Sequence, residues 1–313
     1  MPNKAMELAL LVRDGALRLV RSLGKYAQHD SSSISILPNG MRRFTDEIAE
    51  KNRTAGDIVS GQGPKTAHRD GGSGSRSELS RRVVSDPRVN SRIGEDLAER
   101  HNLDVFGFGT PGFDTHTVRE FVTGIDDMLT KYPKTSIVAV RIDRLKKGAR
   151  SFAESWESKS LVDHPPRYGT AIAFSEKYAK DPNLLAERAR RSVEKKHFPP
   201  GADERPAYYA AIHEFGHALS DSGKSKALDK AEETLKDYYS RKYGHRNDGM
   251  TYEQWRDQLS GYGFHDDGSL NPVEALAESF FDVEMNGAQA SEPAQVLHKL
   301  LLDTAESEWR KRD

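Results

Sequence analysis

The 313-residue chain has no cysteine. Disulfides are excluded, and so is every metal site built on thiolates; a transition metal must be held by His, Asp or Glu. The same absence fits a reducing compartment. Neither sign of charge is in surplus: 47 Lys and Arg face 48 Asp and Glu, a net charge of −1. Composition therefore gives no electrostatic reason to expect a nucleic-acid or membrane partner. No apolar run is long enough to span a bilayer. The N-terminus, MPNKAMELALLVRDGALRLVRSLGK, breaks its apolar runs with Arg13, Asp14, Arg18 and Arg21, so no signal-peptide core forms.

What is present changes along the chain. In residues 1–28, Leu8, Leu11, Leu17, Val20 and Leu23 lie near helical spacing. This predicts an amphipathic helix, either a docking element or a surface anchor or delivery tether. Residues 29–92 are dominated by Gly, Ser, Arg and Asp, as in SGQGPKTAHRDGGSGSRSELSRR. Such a segment buries too little apolar surface to offset its ordering entropy and reads as a mostly disordered linker, interrupted by a short helix near Arg42–Asn52.

A folded domain is expected over 93–313. Helical patterning begins in SRIGEDLAERHN, and DVFGFGTPGFD reads as a turn-rich connection. Val118, Phe121, Val122, Ile125 and Leu129 mark one helix face, ended by Pro133. TSIVAVRIDRL and YGTAIAFSEKY read as two strands. A helix follows in DPNLLAERARRSVEKKHFPP, with Asp181 as cap and Pro182 in its first turn. The fold class is thus α+β: a small mixed sheet, a helix carrying the motif described next, and a helical C-terminal half.

That helix, predicted from about Asp203 to Gly223, contains His213-Glu214-Phe215-Gly216-His217. Tyr208, Ile212, Phe215 and Leu219 form its core stripe. His213 and His217, four apart, project one above the other on a neighbouring face. In this H-E-x-x-H pattern two imidazoles bind zinc, and the carboxylate of Glu214 can take a proton from a water held by the metal. Gly216 is a poor helix former, so its place inside the motif suggests a close approach to the backbone.

A catalytic zinc takes a third protein ligand. The metzincin pattern needs a histidine six residues past His217, where Gly223 stands. Asp221 is too close on the same helix to complete a tetrahedron easily and reads as a supporting or C-terminal polar residue. Downstream, Asn271-Pro272 opens a helix with Glu274, Glu278 and Asp282 in a row on a helix otherwise covered by Ala275, Leu276, Ser279, Phe280 and Val283. Such a row is costly to bury without a cation or histidines to compensate it. Glu274 is the candidate zinc ligand. Glu278, one turn on, is the candidate acceptor for the outer ring N–H of a zinc histidine.

HEFGHA at His213–Ala218 and NPVEALAESF at Asn271–Phe280 resemble the gluzincin metallopeptidases, most closely the catalytic domain of anthrax lethal factor and its relatives. The resemblance covers about Asp104 to the C-terminus and rests on these two helices. It implies a zincin-like fold, Zn2+ on His213, His217 and Glu274, Glu214 as general base, and a protein or peptide substrate. It also implies that Tyr262, in SGYGF, assists as proton donor or oxyanion stabiliser. The twelve-residue step from Tyr262 to Glu274 is longer than the family's usual spacer, and His265 in the same loop is a rival. The strand before the motif helix, Thr170–Ser175 with Ala171, Ile172 and Ala173, would be the sheet edge that holds an extended substrate. The expected activity is zinc-dependent endopeptidase, in the cytoplasm or delivered by a phage or non-classical secretion route. The alternative is an inactive zincin-fold binding or structural module, for which the N-terminal region supplies a tether.

Overall fold

The computed structural model of the protein describes residues 83–145, 149–158, 167–244 and 249–311. The helices expected over residues 1–28 and near Arg42–Asn52, and most of the expected linker, lie outside them. The linker reading runs too far, however. Helix α1 spans Pro87–His101, so residues 87–92 are already folded. The reason is local: the Asp86 carboxylate accepts from the Arg88 and Val89 N–H groups, and Pro87 fills the first turn, where no N–H is missed.

The described residues form a mixed α+β unit, mostly helical, with one four-stranded sheet. After α1 come β1 (Asp104–Phe106), α2 (Thr115–Lys131), β2 (Ile137–Asp143), β3 (Ser151–Ser158) and β4 (Arg167–Ser175). Then follow α3 (Glu176–Lys180), α4 (Pro182–Glu194), α5 (Pro206–Ser222), α6 (Lys226–Tyr243), α7 (Tyr252–Arg256), α8 (Pro272–Asn286) and α9 (Glu292–Trp309). No described helix is long and apolar enough to cross a membrane.

The strand order is β1-β2-β4-β3. β1 pairs with β2 and β2 with β4 in parallel, whereas β3 returns antiparallel to β4. This corrects the expectation for Thr170–Ser175. That strand is not an edge: Ile172 stands opposite Val140 on one side and Ala153 on the other. Ala171, Ile172 and Ala173 are fully buried, and their backbone groups belong to ladders on both sides, so they cannot pair with a substrate. The near-continuous apolar run TAIAF is the mark of a strand buried on both faces. Strand β3, SFAESWES, lacks that run and takes the outer position.

The core forms where α2 and α5 pack together and α2 covers the sheet. Val118, Phe121, Val122, Ile125 and Leu129 are all buried, and Phe121 stacks on Phe174 of β4 with ring centroids 4.8 Å apart. Ile212, Phe215 and Leu219 of α5 are wholly inaccessible. Gly216 explains itself here. A Cβ at this position would stand 2.9 Å from Ala277 Cα, so the glycine lets the backbones of α5 and α8 approach. That approach brings the glutamate row to the histidines.

Candidate metal centre

Both elements of the site start on proline, Pro206 for α5 and Pro272 for α8, which fixes where each helix begins. His213 and His217 then fall on the face of α5 turned to α8, and Glu274 falls in the first turn of α8. His213 Nε2 is 3.2 Å from His217 Nε2 and 3.2 Å from Glu274 Oε2. His217 Nε2 is 3.7 Å from the same carboxylate oxygen. The group is buried at His213 and Glu274 and half-buried at His217, and it could hold a metal ion.

The fit can be tested on those spacings. Two ligand atoms bonded at about 2.0–2.1 Å to one tetrahedral ion stand about 3.3 Å apart. The three edges match that value within a few tenths of an ångström. The chemistry agrees: Glu274 Oε2 is buried and accepts no hydrogen bond. A buried carboxylate oxygen without a donor is costly, and a shared cation removes the cost.

A second layer surrounds the ligands. Glu278 Oε1 lies 2.9 Å from His213 Nδ1, an ion-pair distance without hydrogen-bond alignment. The Tyr209 hydroxyl donates to Glu278 Oε1 at 2.6 Å, and Ser260 Oγ donates to its Oε2 at 3.3 Å. Burial would push the His213 imidazole down, but Glu274 and Glu278 outweigh it and lift it to about 10. A metal at His213 would therefore compete with a proton that the two carboxylates favour. Asp221 lies one turn past His217 on α5 and feels its charge. Burial raises its carboxyl, opposed by the charge of His217 and by a 3.3 Å hydrogen bond from Thr170 Oγ1. The third member of the row, Asp282, stands apart: it accepts from Asn286 Nδ2 at 2.7 Å and from the Ser291 N–H at 3.2 Å, tying the end of α8 to the start of α9.

Glu214 is buried beside the histidines. Tyr262 is brought in by the turn Gly261–Gly263, whose Gly261 and Tyr262 N–H groups donate to the Lys196 and His197 carbonyls at 2.8 and 3.0 Å. Its ring centroid is 6.0 Å from that of His213. Burial and the charges of Glu274, Glu278 and Glu214 raise its phenol well above the usual value, so it stays protonated. His265 falls outside the ligand group, in a tight turn where its N–H donates to the Ser269 carbonyl and its charge acts on Asp267.

Two residues escaped the sequence reading. Tyr209 sits four positions before His213 on the same helix face, a spacing that could have flagged it as the support of Glu278. Arg150 had no such signal. It precedes β3, and its guanidinium lies over the Phe198 ring at 4.0 Å and near the Tyr209 ring at 5.9 Å. Comparison of the chain with protein-family models, with curated proteins and with solved structures found no match.

Proposed function

We propose that the protein is a zinc-dependent endopeptidase of gluzincin type, with zinc on His213, His217 and Glu274. The observation that carries the reading is the spacing of three convergent ligand atoms, 3.2, 3.2 and 3.7 Å, around an orphaned carboxylate oxygen. The two motif helices and their likeness to the lethal-factor type of catalytic domain support the same reading. So does a buried carboxylate, Glu214, placed next in sequence to the first ligand.

Held by His213, His217 and Glu274, zinc would supply a Lewis acid able to polarise a peptide carbonyl and lower the pKa of a water. Glu214 would take a proton from the water attacking the carbonyl carbon and pass it to the amine as the C–N bond breaks. The Tyr262 phenol, kept protonated by its acidic surroundings, donates to the carbonyl oxygen as charge develops there. Glu278 orients the His213 ring from Nδ1, and Tyr209 and Ser260 hold Glu278 in place. An extended substrate pairs with β3 rather than β4, since β3 has no strand on its outer side among the described residues and α5 packs against it.

Glu214→Gln tests the reading. The variant is expected to bind zinc stoichiometrically by elemental analysis and to lose cleavage of an unfolded protein substrate by at least about 10³-fold. Retained cleavage would sink the assignment of Glu214. Zinc bound by the unaltered protein without turnover of any peptide in a broad library would favour the binding-module alternative.

A further inference from the structure

We infer that Arg150 forms a carboxylate-binding subsite that selects peptides carrying a carboxylate within about three residues of the scissile bond. The inference rests on the peptidase reading above and concerns what that site accepts. Arg150 is half-buried, so part of its hydration is already lost. Its guanidinium makes no hydrogen bond and no ion pair among the described residues, and its contacts are to the faces of two rings. Other half-buried arginines of the unit differ: Arg141 is paired with Glu154 and Asp143, and Arg167 with Asp104. A guanidinium offers five N–H donors in a planar fork that matches a carboxylate. The contact with the Phe198 face holds the guanidinium carbon 4.0 Å from the ring centroid and uses none of its N–H donors.

Its position ties this free fork to the metal centre. The Tyr209 ring lies 5.9 Å from the guanidinium and 5.8 Å from the His213 imidazole. Phe198 bridges on the other side, 5.8 Å from the Tyr262 ring. Two such steps are spanned by about three residues of extended chain at about 3.5 Å each. Arg150 also stands just before β3, the strand with no neighbour on its outer side among the described residues.

The carboxylate can belong to an Asp or Glu side chain or to the peptide's C-terminus, and one experiment separates them. Fluorescence anisotropy is measured with zinc-loaded Glu214→Gln protein, so that turnover does not enter the readout. The probes are rhodamine-labelled alanine-rich decapeptides with one Glu or one Gln at successive positions, each with a free or amidated C-terminus. At one position the Glu peptide, or in the short-tailed series the free acid, is expected to bind at least about tenfold more tightly than its neutral partner. Adding Arg150→Met, which removes the guanidinium but keeps an unbranched side chain, should bring that ratio to within about twofold of unity, and Arg150→Lys should retain part of it. A ratio confined to Glu over Gln assigns the side chain; one confined to acid over amide assigns the C-terminus.

No discrimination by the unaltered Arg150, no binding of any peptide, or equal weakening of charged and neutral peptides by both substitutions would each overturn the subsite. The peptidase reading fails separately. If the wild-type protein cleaves none of these peptides while the ratio and its loss persist, the subsite stands and the catalytic assignment falls. If it cleaves charged and neutral peptides alike, the reverse holds.

Discussion

Gly216→Ala probes how the fold builds the site, and its size can be worked from contacts. The added methyl would stand 2.9 Å from Ala277 Cα, 3.3 Å from Ala277 Cβ and 3.4 Å from Phe280 Cβ. Carbon atoms in contact sit about 3.5–4.0 Å apart, so α5 and α8 must part by about 0.6 Å or more. The nearest atom is backbone and cannot rotate away. Overpacking of this kind costs about 1–3 kcal/mol, while replacing a glycine inside a helix returns about 1 kcal/mol. The metal-free protein should thus lose between about 0 and 2 kcal/mol, a fall in Tm of at most about 8 °C for a unit of this size. The effect on metal should be larger in proportion. Ligand positions tolerate only about 0.2 Å, and parting the helices moves Glu274 away from both histidines together, so zinc should bind about 10–100-fold more weakly. Competition against a chromogenic chelator reads the affinity, and calorimetry with and without zinc reads the stability. Gly124→Ala is the control. Its methyl would meet Ala211 Cβ at 2.7 Å, between α2 and α5, and should destabilise the fold while leaving zinc affinity within about twofold. Unchanged zinc affinity with a raised Tm in the Gly216 variant would refute the role of this glycine as the spacer that sets the site.

Three further outcomes follow from the same contacts. Tyr262→Phe should lower kcat by about 10²-fold with zinc content unchanged, read by steady-state kinetics beside elemental analysis; an equal rise in KM with kcat intact would instead mark Tyr262 as a binding residue. Tyr209→Phe removes the 2.6 Å hydrogen bond that holds Glu278 and should weaken zinc by about tenfold in the chelator assay, whereas an unaltered affinity would show that Glu278 needs no such support. Glu284 sets an acid limit. Burial would raise its carboxyl, but His298, Lys131 and Tyr132 hold it down to about 2, below the ordinary 4.5. A depressed carboxyl contributes its stability in full above pH 4.5 and loses it as pH falls toward 2, so Glu284→Gln should cost about 2–3 kcal/mol near neutrality and flatten the acid-unfolding curve over that window. An identical loss at pH 2 and pH 7 would contradict this origin.

The parts of the molecule legible in the sequence are those whose signals are local. The motif helix showed itself by its core stripe and by proline in its first turn, and Glu274 by the proline-started helix that carries it. Capping chemistry placed α4 correctly through Asp181, whose side chain accepts from the Leu184 N–H. What stayed hidden depends on contacts distant in sequence. Strand β3 is largely polar and stabilised by its antiparallel pairing with β4, so nothing within SFAESWES announced it. The edge role of β4 came from the family resemblance alone, although the apolar run of that strand pointed to the centre of a sheet. Arg150 was invisible for the same reason: only the return of β3 along β4 brings it to Phe198 and Tyr209.

The neighbouring carboxylates of α8 make the strongest case that the centre is built for a cation. Four acidic side chains of this helix are buried, and three have donors of their own. Glu278 takes the Tyr209 and Ser260 hydroxyls, Asp282 takes Asn286 and the Ser291 N–H, and Glu284 takes Lys131, Tyr132 and His298. Each is thereby stabilised by the fold alone. Glu274 differs: its Oε2 faces two imidazole nitrogens that also face one another at 3.2 Å. At that distance two N–H groups cannot both point inward, so a proton on one ring leaves the other with a lone pair and no donor to spare. One divalent ion satisfies both nitrogens and the oxygen together, where a single proton satisfies at most two of the three. A helix that provides so fully for Glu278, Asp282 and Glu284 leaves Glu274 unprovided at the one position where His213 and His217 converge, and a bound cation accounts for that exception.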